Sequence, residues 1–440
     1  MTRIVETVSR LSGRISYNPG IYEFSLLTLF AWNPLSRVGS TAAATVFAGA
    51  ICGQLTMGYA GDLFGRTEAL FLTLSIAAIS AVASAVAPQG SATVVYAVII
   101  VCRFLLGIGL GGVYPLSATK AAEDSSSSNG KVNSKGSAMS FFWQAPGAMT
   151  PWIVAYFCSF SDLSANSQWR LLLGLGSIPA VFVVMGTYIE STQESKSTNS
   201  VRKPFNTGGI SLMIELQKTE NIKKLLVTGG GWFIYDIAFY GVNLFAGAIL
   251  DEMNGDDDNV SSASSIRDIT SKQMIGNGMA IPAVLLTICL MGSVSTKRLQ
   301  VIGFILIAVG FVLLACLFVP LKNENPDLLF AFYCLLLFSL SFGPNVTTYV
   351  LSAETYPKEI RSTFTGISAA CGKMGAVVGA YVFGNVSKVT TYPVIMVVCA
   401  VISIFGAIIS HVYISDTSDI DEATTEDFSY NAMYDDDIKE

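Results

Sequence analysis

The chain has 440 residues, 52% of them hydrophobic and 13% charged, with a formal net charge of −6 and a mean hydropathy of +0.54. That balance excludes an ordinary soluble domain and predicts an all-α polytopic membrane protein, with the lipid bilayer as its surroundings and no nucleic-acid partner. The net charge says nothing about the sign of what the protein handles.

A hydrocarbon core about 30 Å thick takes roughly 20 apolar residues per helix. Twelve stretches meet that need, the first of them weakly: 19–36, 41–60, 69–88, 93–121, 137–160, 169–189, 223–250, 272–293, 298–320, 327–351, 362–385 and 388–413. The first, "GIYEFSLLTLFAW", is short and carries Glu23. An ordinary polar stretch precedes it, with no charged n-region and cleavage site, so no signal peptide is expected.

Between the second and third segments lies a tight loop, Gly58-x3-Asp62-x2-Gly65-Arg66. Glycines let two helices approach closely, Asp62 is suited to a helix N-terminus, and Arg66 can bridge to a neighbouring helix. The fourth segment carries Arg103, read as a snorkelling or interhelical anchor, and ends with Lys120 and Glu123, spaced for a structural pair on one helix surface. A loop with a serine run, 122–136, and the fifth and sixth segments complete the first half. The polar stretch 190–222 then divides six segments from six. The expected organisation is an N-terminal half 1–189, a central loop 190–222, a C-terminal half 223–413 and a tail 414–440.

The seventh segment contains a lone aspartate, Asp236, flanked by Trp232 and Tyr240. At i, i+4 and i+8 these three occupy one helix face, expected to point toward a common cavity. An intramembrane carboxylate costs roughly 2.5–3.5 kcal/mol on insertion scales, so it normally faces a protein interior or an aqueous path. Packing alone accounts for Trp232 and Tyr240 but leaves Asp236 without a reason. The acidic loop 251–271 includes Asn259-Val260-Ser261, a glycosylation acceptor pattern. After the eighth segment "MGSVSTKRLQ" keeps only Lys297 and Arg298 of a second basic loop. After the tenth, "SAETYPKEIRST" supplies Glu354 and Arg361.

Lys373 is the lone cation of the eleventh segment, within "GISAACGKMGAVVGA". Small residues there allow close helix packing and leave room for the long side chain. A structural ion pair with Asp236 and contact with an anion are both open and mutually compatible. The tail, acidic and poor in bulky aliphatics, reads as a solvated, disordered extension.

All eight cysteines lie inside apolar segments with no CxxC spacing, and the single histidine, His411, stands alone. Neither disulfides nor a metal site nor a cofactor is expected, and no constellation supports an enzyme. Lys and Arg set the orientation: with both termini inside, 18 fall on cytoplasmic segments, 6 outside and 2, Arg103 and Lys373, within helices.

The loop Gly58-x3-Asp62-x2-Gly65-Arg66 resembles the latch signature of the major facilitator superfamily. Within it, "RFLLGIGLGGVYPLSATKAAED", "WRLLLGLGSIPA", "GWFIYDIAFYG", "FGPNVTT" and "STFTGISAACGKMGAVVGA" resemble the phosphate:proton symporter branch that includes fungal and plant high-affinity phosphate transporters. The likeness spans about 41 to 385. It implies two six-helix bundles, inorganic phosphate and protons as partners, and import by alternating access, most simply at the plasma membrane. Phosphate is then expected to meet Tyr114, Gln144, Trp232, Asp236, Tyr240, Asn345 and Lys373. A gating role falls to Asp62, Arg66, Glu123, Glu354 and Arg361, the last two in the manner of the superfamily's gating ion pairs.

Two departures bear on coupling. Where the pattern has an aspartate before the tyrosine of "GGDYPLS" this chain has Val113, and in the first segment Gly20 replaces another. Glu23 and Asp236 remain as the proton-coupling candidates. Those losses keep open a non-transporting phosphate sensor, or a decoupled transporter of another inorganic or organic anion. A sugar porter of the same superfamily is disfavoured: "WFIYDIAFYG" replaces its glutamine-rich seventh segment, and a sugar gives Lys373 no charge to meet.

Overall fold

The computed structural model of the chain describes residues 36–86, 90–124, 134–161, 163–178, 214–244, 246–254, 262–386 and 390–414, with a few further positions between 180 and 188. The first predicted segment with Glu23, the Asn259 acceptor, most of the central loop and the acidic tail lie outside the described residues.

Among them the fold is helical. One bundle contains α1 (Ser36–Phe64), α2 (Arg66–Ala85), α3 (Ala92–Asp124), α4 (Ser134–Phe142), α5 (Gln144–Cys158) and α6 (Ala165–Leu175). The other contains α7 (Thr219–Leu244), α8 (Ala246–Asn254), α9 (Ser262–Gly278), α10 (Ala280–Leu290), α11 (Thr296–Glu324), α12 (Pro326–Ser341), α13 (Pro344–Thr355), α14 (Arg361–Val386) and α15 (Tyr392–Tyr413). The protein is an integral membrane protein: seven described helices or helix pairs are long and apolar enough to cross a bilayer. Helices α1 and α14 are richer in glycine, serine and threonine, and they pack on each other across the seam between the bundles. A second cross-seam pairing joins α5 to α9.

Several predicted segments are single helices with nearly the expected bounds, whereas the fifth, eighth and tenth are each interrupted near the middle. The break at 342–343 has a plain cause. Gly343 adopts φ +70, a conformation open to glycine, and Pro344 then takes the first helical position, where its missing N–H costs nothing. That break sets the N-terminus of α13 inside the bundle, with Asn345 in its first turn.

At one end of the molecule the two bundles are latched. Gly65, at φ +108, turns the chain from α1 into α2 and brings Arg66 back beside Asp62 at 2.6 Å. The Asp62 carboxylate accepts from the Ser362 and Thr363 amides of α14 at 3.2 and 2.7 Å and so caps a helix of the other bundle. Arg66 reaches Glu123 at 2.9 Å and donates to the Lys358 carbonyl at 2.8 Å. Above this cap the backbones nearly touch. A Cβ at Gly366 would lie 2.2 Å from the Gln54 carbonyl oxygen, and one at Gly58 would lie 2.7 Å from that of Ser362.

One expected pairing is corrected here. Glu123 does not pair with Lys120, because Arg66 claims it; Lys120 instead donates to Thr67 at 3.0 Å and lies 3.9 Å from Asp124. Arg361 faces Glu123 at 3.9 Å, whereas Glu354 is held by the hydroxyls of Thr296, at 3.5 Å, and Ser134. Arg361 also donates to the Tyr356 carbonyl at 2.9 Å. Arg103 is 1% exposed, so it does not snorkel.

Candidate functional site

Between the bundles lies a cavity of about 360 Å³. That equals roughly a dozen water volumes, room for a small hydrated ion. Apolar side chains such as Phe47, Phe141 and Phe239 form much of its wall, and Tyr114, Gln144, Tyr240, Asn345, Tyr349 and Lys373 supply the convergent polar groups.

Lys373 is the centre of the polar cluster. Its ammonium, 7% exposed as a residue, donates to the Tyr240 hydroxyl at 2.6 Å and lies 3.2 Å from Asp236. The same nitrogen sits 5.5 Å from the Tyr114 ring centroid and 4.3 Å from that of Tyr240, within reach of cation–π attraction. Close approach of α7 and α14 makes this geometry possible. A Cβ at Gly372 would strike the Trp232 indole at 2.6 Å, and one at Gly375 would strike the Phe233 carbonyl at 2.2 Å.

The expected single face of Trp232, Asp236 and Tyr240 divides into two layers. Tyr240 reaches the cavity wall, while Trp232 and Asp236 stand behind it, where the Trp232 indole N–H donates to the carboxylate. The reason is Lys373 itself, whose ammonium enters between α7 and the cavity and takes the position the carboxylate would otherwise face. Trp232 meets Tyr114 edge-on, their centroids 6.3 Å apart. Gln144, the first residue of α5, donates to the Tyr114 hydroxyl at 2.9 Å.

Thus the fold gathers all seven sequence-nominated residues: Tyr114, Gln144, Tyr240, Asn345 and Lys373 on the wall, Trp232 and Asp236 in support. The five gating candidates lie apart, at the latched end. Val113 also reaches the cavity wall, so an aspartate at that position would have faced the same space. Sequence reasoning missed Tyr349, Ser117 and Ser140, which line the cavity nearer the latch. A hydroxyl in an apolar helix carries little insertion penalty and so gives no sign comparable to a lone charge.

The cluster's chemistry is that of oxyanion recognition. A buried ammonium, a phenol, a carboxamide and the N-terminal turn of α13 are donors or favourable dipoles toward negative charge, and Asp236 can accept from a protonated oxygen. Because Lys373 and Asp236 are paired, their charges cancel, which relieves the cost of burying either one.

The chain is similar in sequence and fold to known transporters. A family model described as "Sugar (and other) transporter" matches residues 27–195, and one described as "Major Facilitator Superfamily" matches residues 228–429. The chain is 33% identical over 375 residues to "Inorganic phosphate transporter PT2" of Toxoplasma gondii, an alignment covering 85% of this chain and 64% of the relative. The chain thus spans just under two thirds of that relative's length. It is 29% identical to "Low affinity inorganic phosphate transporter 4" of Lotus japonicus, covering 87% of this chain and 80% of that one. Among solved structures, the proton:xylose symporter XylE bound to 6-bromo-6-deoxy-D-glucose superposes with a TM-score of 0.71 at 19% identity, covering 94% of this chain and 95% of that one. The inward-open conformation of XylE from E. coli gives 0.64 at 18% identity, covering 94% and 96%.

Proposed function

The chain belongs to the major facilitator superfamily, with inorganic phosphate transporters among its relatives, and from that premise we propose that it imports inorganic phosphate together with protons by alternating access. The observation that carries this reading is the buried Lys373 at the cavity edge, bonded to Tyr240 and paired with Asp236. Phosphate binds against Lys373, Tyr114, Gln144, Tyr240 and Asn345, with Trp232 and Asp236 holding the lysine from behind.

Charge balance explains why a proton accompanies the anion. The empty Lys373–Asp236 pair is neutral, so a monovalent anion entering alone leaves an uncompensated negative charge in a poorly solvated site. A proton on Asp236 removes it, frees Lys373 for the anion, and leaves on the far side when the bundles rock. Glu23, outside the described residues, is the second coupling candidate. Inward movement of a monovalent anion against a negative potential costs about 2.3 kcal/mol per 100 mV; one proton per phosphate cancels that cost, and two or more make net entry of positive charge, which the potential then drives.

The latched end, carrying Asp62, Arg66, Glu123, Glu354 and Arg361, faces the cytoplasm in this reading, as do both termini, and the membrane is the plasma membrane. The halves that rock are 1–189 and 223–413, joined by the central loop 190–222. The Lys and Arg bias supports that orientation.

The experiment is labelled phosphate uptake in cells lacking their own phosphate transporters, at acidic and neutral external pH, with and without a protonophore. Saturable uptake that is faster at acidic pH and abolished by the protonophore is the expected result. Absence of uptake with surface expression confirmed favours the second reading, a phosphate sensor without transport. That reading rests on one observation, the apolar Val113 on the cavity wall where the resemblance calls for a carboxylate.

A further inference from the structure

Three hydroxyls below the Lys373 cluster repeat its layout one turn closer to the latch. Tyr349 follows Asn345 by four residues on α13, Ser117 follows Tyr114 by three on α3, and Ser140 lies four residues before Gln144. On helical spacing each step is one turn, about 5 Å along its segment. Helix α13 and the helix α3 run toward the latched end while α4 and α5 run away from it, so all three steps lead the same way.

Tyr349 touches both serines. The Tyr349 hydroxyl lies 2.9 Å from that of Ser117 and 3.0 Å from that of Ser140, and its ring packs on Phe141 with centroids 5.0 Å apart. All three line the cavity. Tyr349 belongs to one bundle and both serines to the other, so these bonds cross the seam and must break when the bundles part at the latched end.

Breaking them is not prohibitive. Ser117 can donate to the Val113 carbonyl at 2.6 Å and Ser140 to that of Ser137 at 2.7 Å. Each serine therefore has an acceptor on its own helix, and a hydroxyl turns readily between alternatives.

The geometry points to a second oxyanion station formed by Ser117, Ser140 and Tyr349, sealed on itself while the latch is closed and opened to the departing anion when the bundles separate. The inference rests on the reading of the chain as a phosphate carrier. The upper cluster has an ammonium; this one has only neutral hydroxyls, so it holds the anion more weakly. A weaker site placed after a stronger one lets an ion leave without being trapped.

The test uses the full chain in proteoliposomes, with phosphate transport initiated from each face, for the wild type, Tyr349→Phe and Ser140→Ala. Tyr349→Phe keeps the ring against Phe141, and thermal unfolding in detergent checks that it is folded. Loss of one hydrogen bond to a charged ligand predicts a rise of about ten-fold in KM at the latched face for Tyr349→Phe. Ser140→Ala should shift it in the same direction by less, and KM at the opposite face should stay within about two-fold for both. Equal changes at the two faces, or none at the latched face, overturn the station. A wild type that carries no phosphate from either face instead removes the carrier reading, and the station with it.

Discussion

The carboxylate of Asp62 accepts both the backbone N–H of Thr363, at 2.7 Å, and its hydroxyl, at 2.5 Å, although 301 residues separate the two. A single side chain of one bundle thereby caps a helix of the other, at the end where Arg66 and Glu123 also meet. Asp62→Asn preserves shape but removes the charge that favours both Arg66 and the helix N-terminus. A charged hydrogen bond contributes about 1.5–3 kcal/mol, so the latch-open fraction should rise at least about ten-fold. Maleimide labelling of a Ser362→Cys background reads this, because Ser362 is fully buried while the latch is closed. An unchanged labelling rate would mean that Asp62 does not hold the seam.

Close approach at Gly366 makes a second, steric prediction. The Cβ of Gly366→Ala would sit 2.2 Å from the Gln54 backbone oxygen, far inside contact distance, so the substitution should wedge the α1–α14 seam and abolish uptake at normal surface abundance. Gly230→Ala is the control, since a Cβ there meets nothing within 4 Å and alanine favours the helix. Uptake by Gly230→Ala should remain within about two-fold of wild type. Were Gly366→Ala to transport normally, the tight seam would not be a feature of the working cycle.

Removing Lys373 has two separable consequences. Lys373→Ala leaves the Asp236 carboxylate buried without its cation, a loss of about 3–5 kcal/mol, so thermal stability should fall together with uptake. Adding Asp236→Asn removes the orphaned charge and should restore most of the stability, since an amide oxygen can still accept from Trp232. Uptake should not return, because phosphate still lacks the ammonium. A double variant that regains saturable uptake would show that Lys373 serves Asp236 and not the anion.

How far the chain could be read in advance depended on what kind of signal each feature left. Apolar length located α3, α11 and α15 within a few residues, and the expense of a lone charge in a membrane singled out Lys373 and Asp236, which are bonded to each other. The interruptions that put Gln144 and Asn345 at helix starts were not legible from hydropathy, though Gly343-Pro344 leaves a trace of one. Charge pairing at the latch was misassigned because spacing along α3 suggests Lys120 with Glu123, whereas Arg66 reaches Glu123 from another helix at 2.9 Å. Tyr349, Ser117 and Ser140 were invisible singly. Their spacing from Asn345, Tyr114 and Gln144 becomes informative only once those three are known to converge.

Val113 is the position at which the proposed dependence of transport on protons can be tested. It lines the cavity beside Tyr114, and Asp236 is the intramembrane carboxylate that touches Lys373. One proton on Asp236 neutralises a monovalent phosphate, so the membrane potential neither opposes nor drives its entry, and at least one more proton is needed for the potential to drive it. Val113→Asp places a second carboxylate on the cavity wall, so the variant should accumulate phosphate to a higher ratio, and its uptake should rise more steeply as external pH falls. The comparison is initial rate and plateau at external pH 5 and 7, about two units apart, with surface abundance matched, because a carboxylate responds over that span only if its environment moves it upward. Identical pH profiles would mean that Asp236, with Glu23, already carries the coupling protons. Uptake seen only in Val113→Asp would mean that the wild-type chain binds phosphate without driving it across, and that a single apolar side chain on the cavity wall separates the sensor from the carrier.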